Sequence, residues 1–196
     1  MARKPAEDRK AEIIAALLEL ADRIGPDRVT TGAVAAAVGV TQAALFRHFP
    51  TKAALWTAAA ERLAAAMKHG WQAALSDADD PLARLRALTT AQFERIVANP
   101  ALPMLLFSRE LRVDNPDLRA VFRCRLTDFL ALLAHEVEAA QSREILTATI
   151  DARDAAGLLA ATVQGVAIRW ALGARDFDLH VEGARLVGVQ LRLMAR

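Results

Sequence analysis

The sequence predicts an all-α protein with about nine helices, and three observations carry this prediction. Apolar side chains recur at helical spacing along most of the 196 residues. Only 9 glycines and 7 prolines interrupt them. The β-branched residues are scattered, whereas a half-buried strand would need strict alternation. A chain of this length can bury a substantial core, and we expect that core to lie between helices.

Two helices are expected in the first 40 residues. The first covers about residues 8–24 and ends at Gly25. The second begins with Thr30 or Thr31 as its N-cap, because a threonine hydroxyl can accept a hydrogen bond from a free N–H at a helix start. It stops at Gly39, which can adopt a positive φ.

Seven more helices are expected after this pair. The third is capped by Thr41 and limited by Pro50, and its buried side is expected to carry Leu45, Phe46 and Phe49. The fourth begins after Thr51 and runs to about Gly70 or Gln72. The others are expected at about residues 81–98, 102–111, 115–140, 151–173 and 179–195.

The second and third helices have the spacing of a helix-turn-helix. Two short helices can cross closely only if a small residue lies at the crossing and a glycine allows the turn, and Ala35 and Gly39 occupy those places. The sequence therefore predicts an N-terminal arm and DNA-binding domain over residues 1–52. Residues 53–196 would form a larger helical domain for ligand binding and dimerisation.

Polar and small residues are left on the other side of the third helix, whose start would enter the major groove. Gln42 can pair with an adenine edge, and Arg47 with guanine or phosphate. Alternatives are N-capping alone for Thr41 and packing for His48. The expected DNA-contacting residues are Thr30, Thr31, Thr41, Gln42, Ala43, Ala44, Arg47, His48 and Lys52.

The positive charge is concentrated in the N-terminal part of the chain. Residues 1–60 carry eight Lys and Arg against six carboxylates, whereas the remaining residues carry seventeen of each sign. The excess includes Arg3 and Lys4 in a polar arm. This placement favours nucleic-acid binding, with an ordinary solvated surface as the alternative.

The segment RVTTGAVAAAVGVTQAALFRHFPTKAALW resembles the N-terminal signature of the TetR family of regulators over about residues 9–60. The resemblance implies that two protomers present their helix-turn-helix motifs to a palindromic operator, and that the C-terminal region binds a small effector. Phe46 stands where the family often has a phosphate-contacting tyrosine, so this chain would lack that hydroxyl contact.

The last two helices are rich in small residues, which favours close helix packing. The family resemblance implies a homodimer through a four-helix interface built from them, and completion of the monomer core is the alternative. Candidates for a cavity lining are Trp71, Phe93, Met104, Phe107, Phe122, Phe129, His135 and Gln164. Ordinary core packing is their alternative. His135 and Gln164 are the few polar groups expected on buried faces, so the effector is expected to be largely apolar.

These features predict a repressor that a small effector releases from its operator by moving the fourth helix. The alternative is a DNA-dependent interaction protein of the nucleoid-occlusion type, because one branch of the family has a similar segment between Thr30 and Lys52. We expect no enzyme, cofactor or metal, since His135-Glu136 lacks the second histidine of a zinc motif and Cys124 is alone. No leader or membrane span is expected, which indicates a cytoplasmic, nucleoid-associated protein.

Overall fold

The computed structural model describes residues 6–109 and 113–196, and these are helical almost throughout. The helices are α1 (Ala6–Ile24), α2 (Thr31–Val38), α3 (Gln42–His48), α4 (Lys52–Ser76), α5 (Pro81–Ala98), α6 (Leu102–Leu105), α7 (Pro116–Ser142), α8 (Ala152–Leu172) and α9 (Leu179–Leu193). Within these two ranges the only β-type pairing is an isolated bridge between Leu146 and Ala195. The all-α prediction is confirmed. The first five residues of the predicted arm, with Arg3 and Lys4, lie outside the described residues.

Side-chain caps fix several helix starts where the sequence predicts them. The Thr30 Oγ1 accepts a hydrogen bond from the N–H of Ala33 at 3.1 Å and so caps α2. The Thr41 Oγ1 accepts one from Ala44 at the same distance and caps α3. Each cap satisfies an N–H that has no partner within its own helix.

The sixth helix is shorter than predicted. The sequence suggests a helix over residues 102–111, but α6 ends at Leu105. Beyond it the Ser108 hydroxyl donates to the carbonyl oxygen of Leu105 at 2.7 Å, and the N–H of Arg109 bonds to Oδ1 of Asp27 at 2.8 Å. These contacts hold the chain directly after α6, up to Arg109, which is again helical.

The chain divides into two compact units. The first contains the described residues of 1–63 and 99–122, and the second contains 64–98 and 123–196. The first unit thus includes residues well beyond the segment 1–52 that the sequence suggests for DNA binding. Its core is formed by large apolar side chains of α1 to α4, among them Ile13, Leu17, Val34, Leu45, Leu55 and Trp56.

In the second unit α5, α8 and α9 pack against one another. By length and composition alone α8 could also cross a membrane, a test that core helices of soluble proteins pass as well. Here α8 buries Leu159, Val163 and Trp170 within the unit.

Candidate nucleic-acid interface

A tight turn after α2 sets the geometry of the helix-turn-helix. Gly39 ends α2 with a φ of 71°, in the left-handed region that side chains disfavour. The N–H of Val40 then reaches back to the carbonyl oxygen of Ala35 at 3.0 Å. Two residues later α3 begins, so the two short helices are joined by the turn that the sequence predicts.

The helix α1 closes a small core over this pair. It packs against both α2 and α3, and Ile13, Val34 and Leu45 are fully buried at this junction. Because neither short helix could bury its apolar face alone, this packing holds α3 in a fixed position.

The outer face of α3 is exposed, as a recognition surface requires. Gln42, Ala43 and Arg47 are exposed, whereas Ala44 and His48 are partly buried. Arg47 forms no ion pair among the residues that the structure describes. Its guanidinium is therefore available to an external acceptor.

Phe46 is 37% exposed, so the prediction that it lies on the buried side of α3 is wrong. Leu45 and Phe49 are four residues apart and share the buried face, whereas Phe46 is turned away from them by one helical step. An exposed phenylalanine therefore lies on the same face as Gln42 and Ala43, one turn further along the helix.

The threonines of the site have different surroundings. Thr30 and Thr41 are exposed, and their hydroxyl oxygens accept the capping bonds described above. Thr31 is only 9% exposed, and its Oγ1 accepts a hydrogen bond from Nε2 of Gln42 at 2.7 Å. This contact is not predictable from the sequence, because helical periodicity says nothing about pairs between the starts of two helices.

Two of the N-terminal cations are engaged by carboxylates within α1. Arg9 lies 2.9 Å from Glu12, and Lys10 lies 3.0 Å from Glu7. Glu7 and Glu12 are already among the six carboxylates counted, so these pairs leave the net excess unchanged but give Arg9 and Lys10 acceptors within α1. The exposed positive charge on α3 itself comes from Arg47.

The eight candidates for an effector cavity are divided between the two units. Met104, Phe107 and Phe122 belong to the first unit, and the first two of them are exposed. Of the others, Trp71, Phe93 and Phe129 are buried in the second unit. The Trp71 and Phe129 rings stack with centroids 5.0 Å apart.

The polar candidates are not where the sequence suggests. His135 and Gln164 are exposed, so the prediction that they lie on buried faces is wrong. The buried polar residue of α7 is instead Glu136, which is 3% exposed and lies 3.8 Å from Arg84. Its position between Leu133 and Val137 on one helical face was the available signal.

No group of three or more His, Cys, Asp or Glu side chains within residues 6–109 and 113–196 is placed to hold a metal ion. Cys124 is exposed and forms no disulfide. The candidate site with the most complete geometry is therefore the outer face of α2 and α3.

Comparison with known proteins gives a consistent result. Residues 13–59 match the family model of bacterial regulatory proteins of the tetR family. The chain is also 33% identical over 120 residues to the nucleoid occlusion factor SlmA of Vibrio campbellii. That match covers 61% of this chain and 61% of the relative, so a large part of each protein lies outside it.

Solved structures with a similar fold cover nearly all of the chain. The fatty acid degradation regulator FadR from Bacillus halodurans superimposes with a TM-score of 0.82 over 100% of both chains, at 20% identity. The regulator FadR from Bacillus subtilis, solved in complex with stearoyl-CoA, gives a TM-score of 0.74. It covers 94% of this chain and 97% of that one, also at 20% identity. At this identity the similarity establishes the fold.

Proposed function

Since this chain belongs, through residues 13–59, to the tetR family of bacterial regulatory proteins, we propose that it is a sequence-specific DNA-binding transcriptional regulator. Its role is that of a repressor, bound as a homodimer to a palindromic operator and released by a small, largely apolar effector. The observation that carries the proposal is the outer face of α3, on which Gln42, Ala43 and Arg47 are exposed above a buried three-helix core.

The side chains of α3 suit the major groove. A glutamine amide complements the edge of adenine, and an arginine such as Arg47, which forms no ion pair with the described residues, can pair with guanine or phosphate. The small side chain of Ala43 allows the backbone of α3 to approach the bases closely. Lys52 at the start of α4 adds a cation suited to phosphate, which positions the protein without specifying sequence.

Dimerisation is proposed to use α8 and α9. Leu158 is 51% exposed and Leu172 is 73% exposed. Their spacing places them on one face of α8 with Ala161 and Gly165, which are also exposed. An apolar stripe of this kind is suited to a second copy. Replacing Leu158 with Glu should convert a dimer into a monomer in analytical ultracentrifugation, and a dimer that persists would contradict this interface.

The effector is proposed to be apolar and to enter the second unit. Trp71 and Phe129 provide stacked aromatic surface there. The indole N–H of Trp71 donates a hydrogen bond to Oε1 of Gln92 at 3.0 Å. The Bacillus subtilis regulator of similar fold was solved with stearoyl-CoA, whose stearoyl chain is apolar although its CoA part is charged. Stearoyl-CoA is therefore the first probe to use. It should raise the melting temperature and release bound DNA. If stearoyl-CoA neither raises the melting temperature nor releases DNA, this class of effector is excluded.

A second role is supported by the similarity to SlmA. That relative is named a nucleoid occlusion factor, and this chain could likewise act on a protein partner while bound to DNA. The two roles differ in where the binding sites lie. Sites far from promoters favour the partner role, whereas a site beside the protein's own or a neighbouring gene favours repression.

The decisive experiment is selection of genomic DNA fragments by the purified protein at moderate salt, followed by sequencing. The test variant carries Arg47→Ala and Gln42→Ala, and the matched control carries Arg153→Ala, an exposed arginine of the second unit. A few palindromic sites that the control retains and the test variant loses would support the proposal. No enrichment by the wild-type protein would overturn it.

The single replacement Arg47→Ala separates two kinds of contact. If Arg47 pairs with a base, specific binding should weaken by about 1–3 kcal/mol while binding to random duplex changes less. An equal loss on both kinds of DNA would assign Arg47 to phosphate.

A further inference from the structure

The first residues of α2 and α3 are joined by their side chains. Thr31 begins α2 and Gln42 begins α3, and the Gln42 Nε2 donates to the Thr31 Oγ1 at 2.7 Å. Thr31 is buried, with 9% of its surface exposed. Gln42 is exposed. A buried residue of α2 thus hydrogen-bonds to the side-chain amide of an exposed residue of α3.

The rest of the Gln42 amide is left open. Among the residues that the structure describes, its side chain forms no other hydrogen bond. Its Oε1 lies next to Gly32, where an added Cβ would be 4.0 Å away from that oxygen. Gln42 therefore keeps one acceptor, Oε1, and one further N–H donor.

We propose that Thr31 is a positioning residue, which orients the Gln42 amide so that Oε1 and the remaining N–H read one base pair in each half-site. This inference rests on the proposed DNA-binding function. The pair of groups complements the major-groove edge of adenine, whose N6 donates and whose N7 accepts. Thr31 thereby acts on sequence preference without contacting the base itself.

A glutamine that is free in solution loses several rotamers when it binds a base. Thr31 restricts those rotamers before DNA arrives, because the amide is already bonded. Removing the bond should weaken discrimination at that base pair by about threefold to tenfold, which corresponds to the usual cost of immobilising one such side chain. Binding to random duplex should change little, since phosphate contacts carry it.

The experiment measures base preference by selection from a random duplex library, with four proteins compared under the same conditions. These are the wild type, Thr31→Val, Gln42→Ala and the double variant. Valine has nearly the shape of threonine but lacks the acceptor. A fifth protein, Thr31→Ser, retains a hydroxyl and should restore the wild-type preference. Thermal unfolding of each protein confirms that it is folded.

The expected result is that Thr31→Val loses its base preference at one base pair of each half-site. In the Gln42→Ala background, the same replacement should have no effect on the preference at that base pair. Two results would overturn the inference. One is an unchanged preference in Thr31→Val; the other is an equal loss with and without Gln42, which would assign Thr31 to a contact of its own. If the wild type selects no sequence at all, the proposed function fails instead, and the inference falls with it.

Discussion

The Asn115 side chain, at the start of α7, donates a hydrogen bond from Nδ2 to the carbonyl oxygen of Ala53 in the first turn of α4, at 2.8 Å. Its Oδ1 accepts from the N–H of Leu118 at 3.0 Å, and its Nδ2 lies 3.2 Å from the hydroxyl of Thr57. Asn115 is 2% exposed. One buried amide therefore caps α7 and links it to α4, directly after the helix-turn-helix.

Replacing Asn115 with Ala should lower the free energy of unfolding by about 2–3 kcal/mol. The cap contributes about 1 kcal/mol, and losing the part-buried hydrogen bonds to Ala53 and Thr57 adds a similar cost. Urea unfolding followed by circular dichroism measures this change. Thr51→Ala is the matched control, because Thr51 is an exposed capping residue whose Oγ1 accepts a hydrogen bond from the N–H of Ala54. An equal loss in both variants would contradict the linking role.

The contact between α9 and α5 should be intolerant of a single added methyl group. A Cβ placed on Gly183 would lie 2.4 Å from Cε2 of Phe93, which is itself buried. Gly183→Ala should therefore lower the free energy of unfolding by about 1–3 kcal/mol through overpacking. Gly70→Ala is the control, since its Cβ would make only ordinary contact with Arg95 at 3.9 Å. It should be neutral or stabilising, and a loss in Gly70→Ala as large as that in Gly183→Ala would contradict this explanation.

The helix starts were predictable because each depends on local chemistry. Thr30 and Thr41 supply capping oxygens, and Gly39 supplies the positive φ that ends α2. The end of α6 was not predictable, because residues 102–107 are apolar throughout and give no stop signal. After α6 the N–H of Arg109 bonds to Asp27, which is 82 residues away in sequence, and a local pattern does not reveal such a contact.

The exposed residues of the candidate site were largely predictable from the sequence, but the hydrogen bond between Thr31 and Gln42 was not. Helical spacing correctly left Gln42 and Arg47 on the outer face of α3, but counted Phe46 as buried. Apolar character alone suggested that burial, whereas its phase relative to Leu45 excludes it. The contact between Thr31 and Gln42 depends on how two helices cross, which no single-helix pattern encodes.

Acid should weaken an ion-pair cluster between α8 and α9. Side-chain hydrogen bonds from Arg185 and Arg169 lower the pKa of Glu182 from 4.5 to about 2. Because the folded pKa lies below the unfolded one, the stabilisation is fully present above about pH 4.5 and is lost as the pH falls towards 2.

The measurement is the free energy of unfolding of the wild type and Glu182→Gln as a function of pH. The difference between the two proteins should shrink across that window. In a background that carries Arg169→Ala and Arg185→Ala, Glu182→Gln should have little effect at any pH. A difference that stays constant from neutral to acid pH in the wild-type background would contradict the assignment.

The exposed ring of Phe46 makes a gain of affinity possible on the proposed DNA-binding face. Its ring is 37% exposed, so Phe46→Tyr adds a hydroxyl at the surface and should change stability by less than about 0.5 kcal/mol. If that hydroxyl reaches a phosphate, as the family resemblance implies for a tyrosine here, affinity should rise about threefold to tenfold. The gain should be equal on selected and random duplex, because phosphate contacts carry no sequence information. Phe46→Met is the control without a hydroxyl and should show no gain in a fluorescence anisotropy titration. An unchanged affinity in Phe46→Tyr would place this ring away from the phosphates, and a gain restricted to the selected duplex would place it against a base.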